Sequence, residues 1–482
     1  MAFIRKVKTS SGATAVQIAH KQYGRIVKLE HIGSAHSKDD LETLLSIANE
    51  RLLAGQQSLF VENSSPLKVL IKKSVSRLLL DVLLQLYDSV GFNKLEDDIF
   101  AYLCIARIVE PTSKLDSIRV LTELGIHSFD KNKMYRCLQQ IIVKDYRKII
   151  AECCFAHASS SGISLVLYDV TTLYFEVQEE DDYRKSGMSK ERRLEPQIIV
   201  GLLVDQYGFP LELHSFEGNV AETNTILPVI DAFKIAHNLT NITVVADAAM
   251  LSQKNLEALT EAGYTYIVGS RLQKIPYDIG EYQKTGTLAD LQIITTQLTN
   301  ERRIVYQYRE KRAALDRRNI EKQIAKAEKI MQGTLTNRRT KFLKLNIQEK
   351  KLDQKLIDKA KALVGIKGYV TNLSIPDEQV ISFYHQLWHV EKTFRMSKSD
   401  LKARPIFHHK KESIEAHLTI VLAALAIGVI ITNKSGLSVK RFIRLLKPIR
   451  SGTVVINGKE YLAEAEVPVD IHNLLQSLQP GH

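Results

Sequence analysis

In the stretch YHQLWHVEKTFRMSK, Tyr384, Glu391 and Lys398 are spaced by seven and seven. Seven residues are nearly two helical turns. A helix would therefore set a phenol, a carboxylate and an ammonium on one stripe, with Leu387 and Phe394 or Arg395 between them. Such a stripe is either a solvated ion pair of Glu391 with Lys398 or Arg395, or the kind of face a phosphate-handling site needs. Two further acids sit where apolar runs stop. Asp169 ends the run in LVLYDVTTLYFE, and Asp247 ends the run in TVVADAAMLSQKNLEAL. Taken singly, Asp169 reads as a turn former or cap and Asp247 as a helix N-cap. Taken together, three acids converging at one edge of a sheet can hold two Mg²⁺ ions through hard oxygen ligands, and Mn²⁺ can substitute. Two such ions roughly 3.5–4 Å apart stabilise both the attacking and the leaving oxygen of an in-line phosphoryl displacement.

Those acids need a scaffold, and the hydrophobic period supplies one. SLVLYDV, PQIIVGLLVD, PLELHSF, NITVVAD and YTYIVG are short Val- and Ile-rich runs bounded by Gly, Pro and Asp, which predicts strands of an α/β sheet. QKNLEALTEAG predicts a helix between the last two, and GYVTNL a later return to the sheet. Upstream, residues 13–33 alternate around YGR and predict a β-hairpin. A helix follows at DDLETLLSIANERLLAG, with Asp39 or Asp40 as N-cap and Gly55 past its end. From about 75 to 158 the pattern is almost all helix. Residues 300–361 are highly charged at helical spacing and predict two exposed helices in a hairpin. Asn457-Gly458 between alternating runs predicts a terminal hairpin.

The domain organisation read from these shifts is 1–62 hairpin and helix, 63–158 helical, 159–290 first part of the core, 291–365 charged helical insertion, 366–450 second part of the core with the Glu391 helix, and 451–482 hairpin and tail.

A net charge of +12 and a pI of about 9.2 favour a polyanionic partner, nucleic acid before membrane. Four cysteines without a C-x-x-C pair argue against a zinc ribbon or disulfide framework and for a reducing cytoplasm. The start, MAFIRKVKTSSG, has no apolar h-region of a signal peptide. The run LTIVLAALAIGVII is shorter than the ~20 residues that span a bilayer and predicts a buried helix.

Other chemistries have weaker patterns. His385 and His389 are four apart, as in a helical zinc pair, but Gln386 follows the first and the H-E-x-x-H base is missing. LVLYDVTT is similar to a haloacid-dehalogenase-type start, yet Thr171 replaces its second acid. No G-x-x-x-x-G-K-[ST] loop is present, so ATP use is not indicated. Trp388, the sole tryptophan, reads as a core anchor or as a stacking face for an unpaired base.

The combination resembles a DDE-class insertion-sequence transposase, most of all the insertion-sequence-four group and its sixteen-thirty-four-like relatives. That group carries Y-x2-R-x3-E-x6-K around its third acid. Tyr384, Glu391 and Lys398 fit the spacing, and Leu387 stands where the signature has arginine. ARIVEPTSKLDS, LYDVTTLYFE, FEGNVAET, ADAAMLSQKNL and FRMSKSDLKARPIFHHKKESIEAH extend the resemblance over nearly the whole chain. It implies an α/β, ribonuclease-H-like mixed-sheet catalytic core with an insertion domain, preceded by a mainly helical region that binds DNA ends. It implies catalysis and Mg²⁺ binding by Asp169, Asp247 and Glu391. It also implies DNA contacts by Tyr384, Trp388, Arg395, Lys398, Lys402 and Arg404. The expected partners are double-stranded transposon ends and target DNA, with a homodimer in the synaptic complex, in a bacterial cytoplasm at the nucleoid. Two readings from other classes stay open: a catalytically inactive, transposase-derived DNA-binding protein, and a nuclease of the same fold without strand transfer. Since 391 − 247 = 144, an insertion must interrupt the core.

Overall fold

The computed structural model describes residues 2–9, 12–53, 69–160, 162–176, 179–187, 195–248, 252–270, 277–286, 288–299, 301–332, 334, 341–345, 350–404, 406, 408–456 and 458–478. The chain divides into two compact units. The first comprises Met1–Leu70 and Val455–Lys459; the second comprises Ile71–Val454 and Glu460–His482.

In the first unit the hairpin expected around YGR forms between Thr14–Gln22 and Arg25–Ala35. Tyr23 and Gly24 both have positive φ, +47° and +80°, the left-handed pair whose twist matches a two-residue hairpin. A third strand, Ala2–Lys8, pairs antiparallel with Thr14–Gln22 and was not legible in the sequence. Val16 and Ile18 bury one sheet face against Ala48 of the helix Lys38–Leu53. The cap of that helix is Ser37, whose hydroxyl accepts the Asp40 N–H at 3.1 Å, and not Asp39 or Asp40. Gly55 lies outside the described residues.

The second unit is built on an eight-stranded mixed sheet: β1 Val166–Tyr174, β2 Gln197–Asp205, β3 Pro210–Glu217, β4 Thr243–Ala246, β5 Thr265–Ser270, β6 Ile293–Thr299, β7 Arg302–Tyr308 and β8 Ile366–Thr371. The order across the sheet is β6-β7-β8-β5-β4-β1-β2-β3. β1, β2 and β3 form an antiparallel meander, and β4 and β5 run parallel to β1. The order 3-2-1-4-5 is the ribonuclease-H-like arrangement, and all five strands coincide with the apolar runs. β2 is buried along its whole length, which is why QIIVGLLVD reads as a continuous apolar run and not an alternating one.

The insertion extends this sheet. β6, β7 and β8 add antiparallel strands beside β5. The structure corrects the expectation of a helical insertion starting near residue 300. Ile304–Gln307 are buried between two neighbouring strands, so the β-branched and aromatic IVYQY forms β7 despite its charged flanks. The exposed helix starts only at Glu310 and runs to Met331. After a short hairpin, Leu343–Leu345 with Lys350–Leu352, the second helix spans Gln354–Ala362, capped by Asp353.

The region 77–159 is helical as expected, and it shares one hydrophobic core with the sheet. Lys411–Ser435, a 25-residue helix, runs through that core against the helices Asp98–Val109 and Lys131–Val143 and against β3. It is long and apolar enough to cross a membrane by length and composition, yet 94% of its apolar window is buried within the protein. Removing residues before 159 would uncover this helix. All four cysteines are buried free thiols. The terminal hairpin forms between Ser451–Ile456 and Lys459–Ala463, with Asn457 outside the described residues.

Candidate active site

The strand register sets the first two acids. β1 and β4 are parallel partners at Val166/Val244, Leu167/Val245 and Tyr168/Ala246. The next residue on each is Asp169 and Asp247, so the two carboxylates occupy equivalent, adjacent positions where the parallel ladder ends. Asp169 does not end its strand, as its sequence pattern suggested; β1 continues to Tyr174 because β2 still pairs with it there. Asp247 is not an N-cap either. The following helix starts at Gln253 and is capped by Ser252. The Asp247 carboxylate instead accepts the Ala248 N–H at 2.7 Å and the Tyr384 hydroxyl at 2.9 Å.

The third acid arrives on a broken helix. The single helix expected over Tyr384–Lys398 is three segments: Asp377–His385, Trp388–Arg395, and a π-turn over Met396–Asp400. At the break the backbone tightens to i→i−3 bonds, Gln386 to Phe383 and Leu387 to Tyr384, both 3.1 Å. Val390, Thr393 and Phe394, at helical spacing, are the buried face of the middle segment, which packs on β1 and β2. Thr393 donates to the Gly208 carbonyl at 2.8 Å and ties the helix to the β2–β3 turn. This anchoring turns Glu391 toward the sheet edge that carries the aspartates.

Asp169, Asp247 and Glu391 line one cavity of about 450 Å³, together with Tyr168, Lys367, Tyr384 and Trp388. Asp169 and Glu391 also line an adjoining groove with Arg395, Lys398 and Arg404. The seven-residue spacing of Glu391 and Lys398 therefore survives the π-turn. Asp400 lies outside both and pairs with Lys440 at 3.2 Å.

Three carboxylates form a hard-oxygen donor set suited to Mg²⁺. Among the described residues no three His, Cys, Asp or Glu are gathered tightly enough to hold a metal ion by themselves. Mg²⁺ usually takes one or two carboxylates and fills the rest of its shell with water and substrate phosphate, so the residues fit an ion shared with a phosphate-bearing substrate.

Tyr384 turns inward, in contrast to the expected DNA contact. It is 4% exposed, and burial followed by the charge of Asp247 raises its phenol far above the usual range. It is a fixed donor that orients Asp247. Gly269 of β5 makes room for it, since a Cβ there would lie 2.6 Å from the Tyr384 hydroxyl and 3.1 Å from the Ala248 nitrogen.

Trp388 is 52% exposed, so the core-anchor reading is wrong; its ring flanks the acid cavity with Lys392 5.6 Å from the ring centre. His385 lines the acid cavity, whereas His389 lines a different one near Asp205, so the two do not form a zinc pair.

Sequence reading missed Lys367. It sits on β8, its ammonium 4.4 Å from the Tyr384 ring centre. Burial and Arg312 lower its pKa while Asp247 and Glu391 oppose the shift. Only the pairing of the inserted strand with β5 brings it here, and no local motif announces that.

None of the curated proteins matches the chain in sequence. Among solved structures, a piggyBac transposase synaptic complex with hairpin DNA is similar at 11% identity, covering 77% of this chain and 79% of that chain, with a TM-score of 0.41. A family model described as the transposase DDE domain matches residues 160–427. The match covers more than half of the chain and contains all three acids, and the protein belongs to the DDE transposase family.

Proposed function

We propose that the protein is an insertion-sequence transposase of the insertion-sequence-four group. In this reading it binds the terminal inverted repeats of its element, cleaves a phosphodiester at each end, and joins the resulting 3′-hydroxyl to target DNA. The observation that carries the proposal is the β1–β4 register, which sets Asp169 beside Asp247 at the cavity that also receives Glu391. Mg²⁺ held by these three carboxylates would supply charge stabilisation at the attacking and leaving oxygens. The chain's own groups do the rest. Tyr384 fixes the Asp247 carboxylate. Lys367 brings a positive charge to the cavity wall. Arg395, Lys398 and Arg404 line the adjoining groove, where a DNA strand's phosphates would run. Trp388 offers an exposed aromatic face on which an unpaired terminal base can stack, a contact of roughly 1–3 kcal/mol. The helices of 77–159 and the first unit would read the ends. Two copies would hold two ends for joining in concert, in the cytoplasm.

The test uses purified protein, Mg²⁺ and oligonucleotides carrying the repeats that flank the gene. Cleaved ends, and joining of pre-cleaved ends to a plasmid, are expected. Cleavage without joining would identify a nuclease, and end binding without cleavage an inactive derivative.

Orientation of Asp247 gives a separate prediction. Gly269→Ala pushes a methyl group into the Tyr384 hydroxyl and the Ala248 backbone. A hydrogen bond to a charged group contributes about 1.5–3 kcal/mol, so cleavage should slow about 10–100-fold with DNA binding kept. Tyr384→Phe removes the same bond without the steric push and should slow cleavage in the same direction. Wild-type cleavage by both variants would show that the bond does not position the acid.

A further inference from the structure

A second cavity, about 600 Å³, lies where residues 107–115 meet residues 402–408 and His417 of the long buried helix. Its basic lining is Arg107, Lys114, Lys402, Arg404, His408 and His417, Tyr135 adds a phenol, and among the described residues no Asp or Glu lines it. The acids of the neighbouring EPTSKLDS segment are engaged elsewhere. Asp116 accepts from Arg119 at 2.9 Å and Glu110 accepts from the same guanidinium. Thr112 donates to Asp116 at 2.8 Å. Arg107 and Lys114 have no carboxylate partner among the described residues; the Lys114 amine bonds instead to His408 Nε2.

Burial first, and like charge second, disfavour the protonated forms of these groups. Burial and then Arg107 push Lys114 down to about 7. Burial, then Lys114 and Arg107, push His408 down to about 4. His417 is 5% exposed, its Nε2 lies 3.3 Å from the Ala403 carbonyl, and its Nδ1 has no hydrogen-bond partner among the described residues. The backbone is strained at the same place. Lys402 has φ +44°, a left-handed conformation that favours glycine, directly after the π-turn. Lys402 is exposed, so its ammonium stays hydrated at the cavity wall, where an entering anion would meet it.

We infer that this cavity binds a phosphate group of a DNA strand, as a second phosphate site beside the acid cavity, an assignment that rests on the transposase reading. Arg404 lines both this cavity and the groove containing Asp169, Glu391 and Lys398, so one strand can run from one to the other. Arg107 and Lys114, contributed by the helical region, thereby join the core's own lysines and arginines on a single strand of substrate. The shared ligand chemistry is phosphate, and its source is either the DNA strand or the free anion.

The experiment uses the full chain without divalent metal, titrated onto a duplex oligonucleotide over about 50–200 mM salt. Arg107→Gln and Lys114→Gln should each weaken binding about tenfold and lower the slope of log affinity against log salt by about one. Lys402→Gly should also weaken binding while raising the melting temperature, because it relieves the backbone, so its loss of affinity cannot come from misfolding. Variants that keep wild-type affinity and slope overturn the cavity assignment and leave the transposase reading standing. A wild type that binds no duplex overturns both. In a second arm, inorganic phosphate replaces chloride at equal ionic strength. Displacement of DNA from the wild type, but much less from Arg107→Gln, supports a DNA phosphate in the cavity. Phosphate that raises the melting temperature of the wild type alone, with salt slopes equal in all proteins, identifies the free anion as the occupant and overturns the DNA assignment.

Discussion

Asp169→Asn and Asp247→Asn are each expected to abolish Mg²⁺-dependent cleavage of end DNA, a loss of at least about 10³-fold, while end binding stays near wild type. The size of the loss follows from the register. The two carboxylates sit at adjacent positions on neighbouring parallel strands, so neither can move to replace the other. An amide keeps the shape and can still accept the Tyr384 hydroxyl at position 247, so the local structure should persist while the charge is lost. Glu391→Gln should behave in the same way. Lys398→Ala should fail differently. It lines the groove and would position and neutralise substrate, so its loss should lower the rate about 10²–10³-fold without erasing the chemistry. Asp400→Asn is the control. Asp400 pairs with Lys440 outside both cavities, and an exposed pair is worth about 0–1 kcal/mol, so cleavage should be unchanged. The assay is nicking of a labelled end oligonucleotide by the five variants. An active Glu391→Gln beside a dead Asp400→Asn would overturn the site.

The core sheet and the three acids were legible because the signals are local and mutually consistent. β1 to β5 are short β-branched runs with turn residues at their ends, and burial in the structure follows the same pattern. Beyond the strand Ala2–Lys8, three things were not legible. β7 sits in a stretch whose flanks carry charge at a helix-like spacing, and only its partners on both sides make it a strand. The break at Gln386–Leu387 has no Pro or Gly to mark it, so the Tyr384–Lys398 stripe read as one helix. Lys367, Arg107 and Lys114 come from segments far apart in sequence, and no spacing rule brings them to the cavities they line. Trp388 shows the limit from the other direction. A lone tryptophan is more often buried than exposed, and only its place on the face opposite Val390 and Phe394 turns it out to the cavity.

The second large effect concerns how the helical region is fastened to the core. Arg147, at the start of the helix Tyr146–Ser159, pairs with the Glu415 carboxylate of the long helix and donates to the Glu415 carbonyl at 2.6 Å. The same carboxylate accepts from Ser215 of β3 at 2.6 Å and from the Tyr183 hydroxyl. One carboxylate thus ties together the helical region, the sheet and the central helix. Burial alone would raise the Glu415 pKa, but Arg147, Ser215 and Tyr183 outweigh it and hold it below its ordinary value of 4.5. A folded-state pKa below the unfolded one stabilises the fold above about pH 4.5, and the contribution is lost as pH falls through the folded value. Arg147→Met removes the compensating charge and leaves a carboxylate that is 18% exposed. Breaking a buried pair costs about 3–5 kcal/mol, and the residual exposure puts this one near the lower end. Without Arg147 the burial of Glu415 dominates, so its pKa rises and protonation relieves the strain. The deficit of Arg147→Met should therefore be about 3 kcal/mol at pH 7, begin to shrink as pH falls through the variant's raised Glu415 pKa, above 4.5, and go on shrinking down to the wild type's lowered one. Adding Glu415→Leu should recover stability relative to Arg147→Met, because no unpaired charge is then left inside. Urea midpoints of the three proteins across that pH range measure each step, and a neutral-pH deficit under about 1 kcal/mol would mean that the Arg147–Glu415 pair does not fasten the helical region to the core.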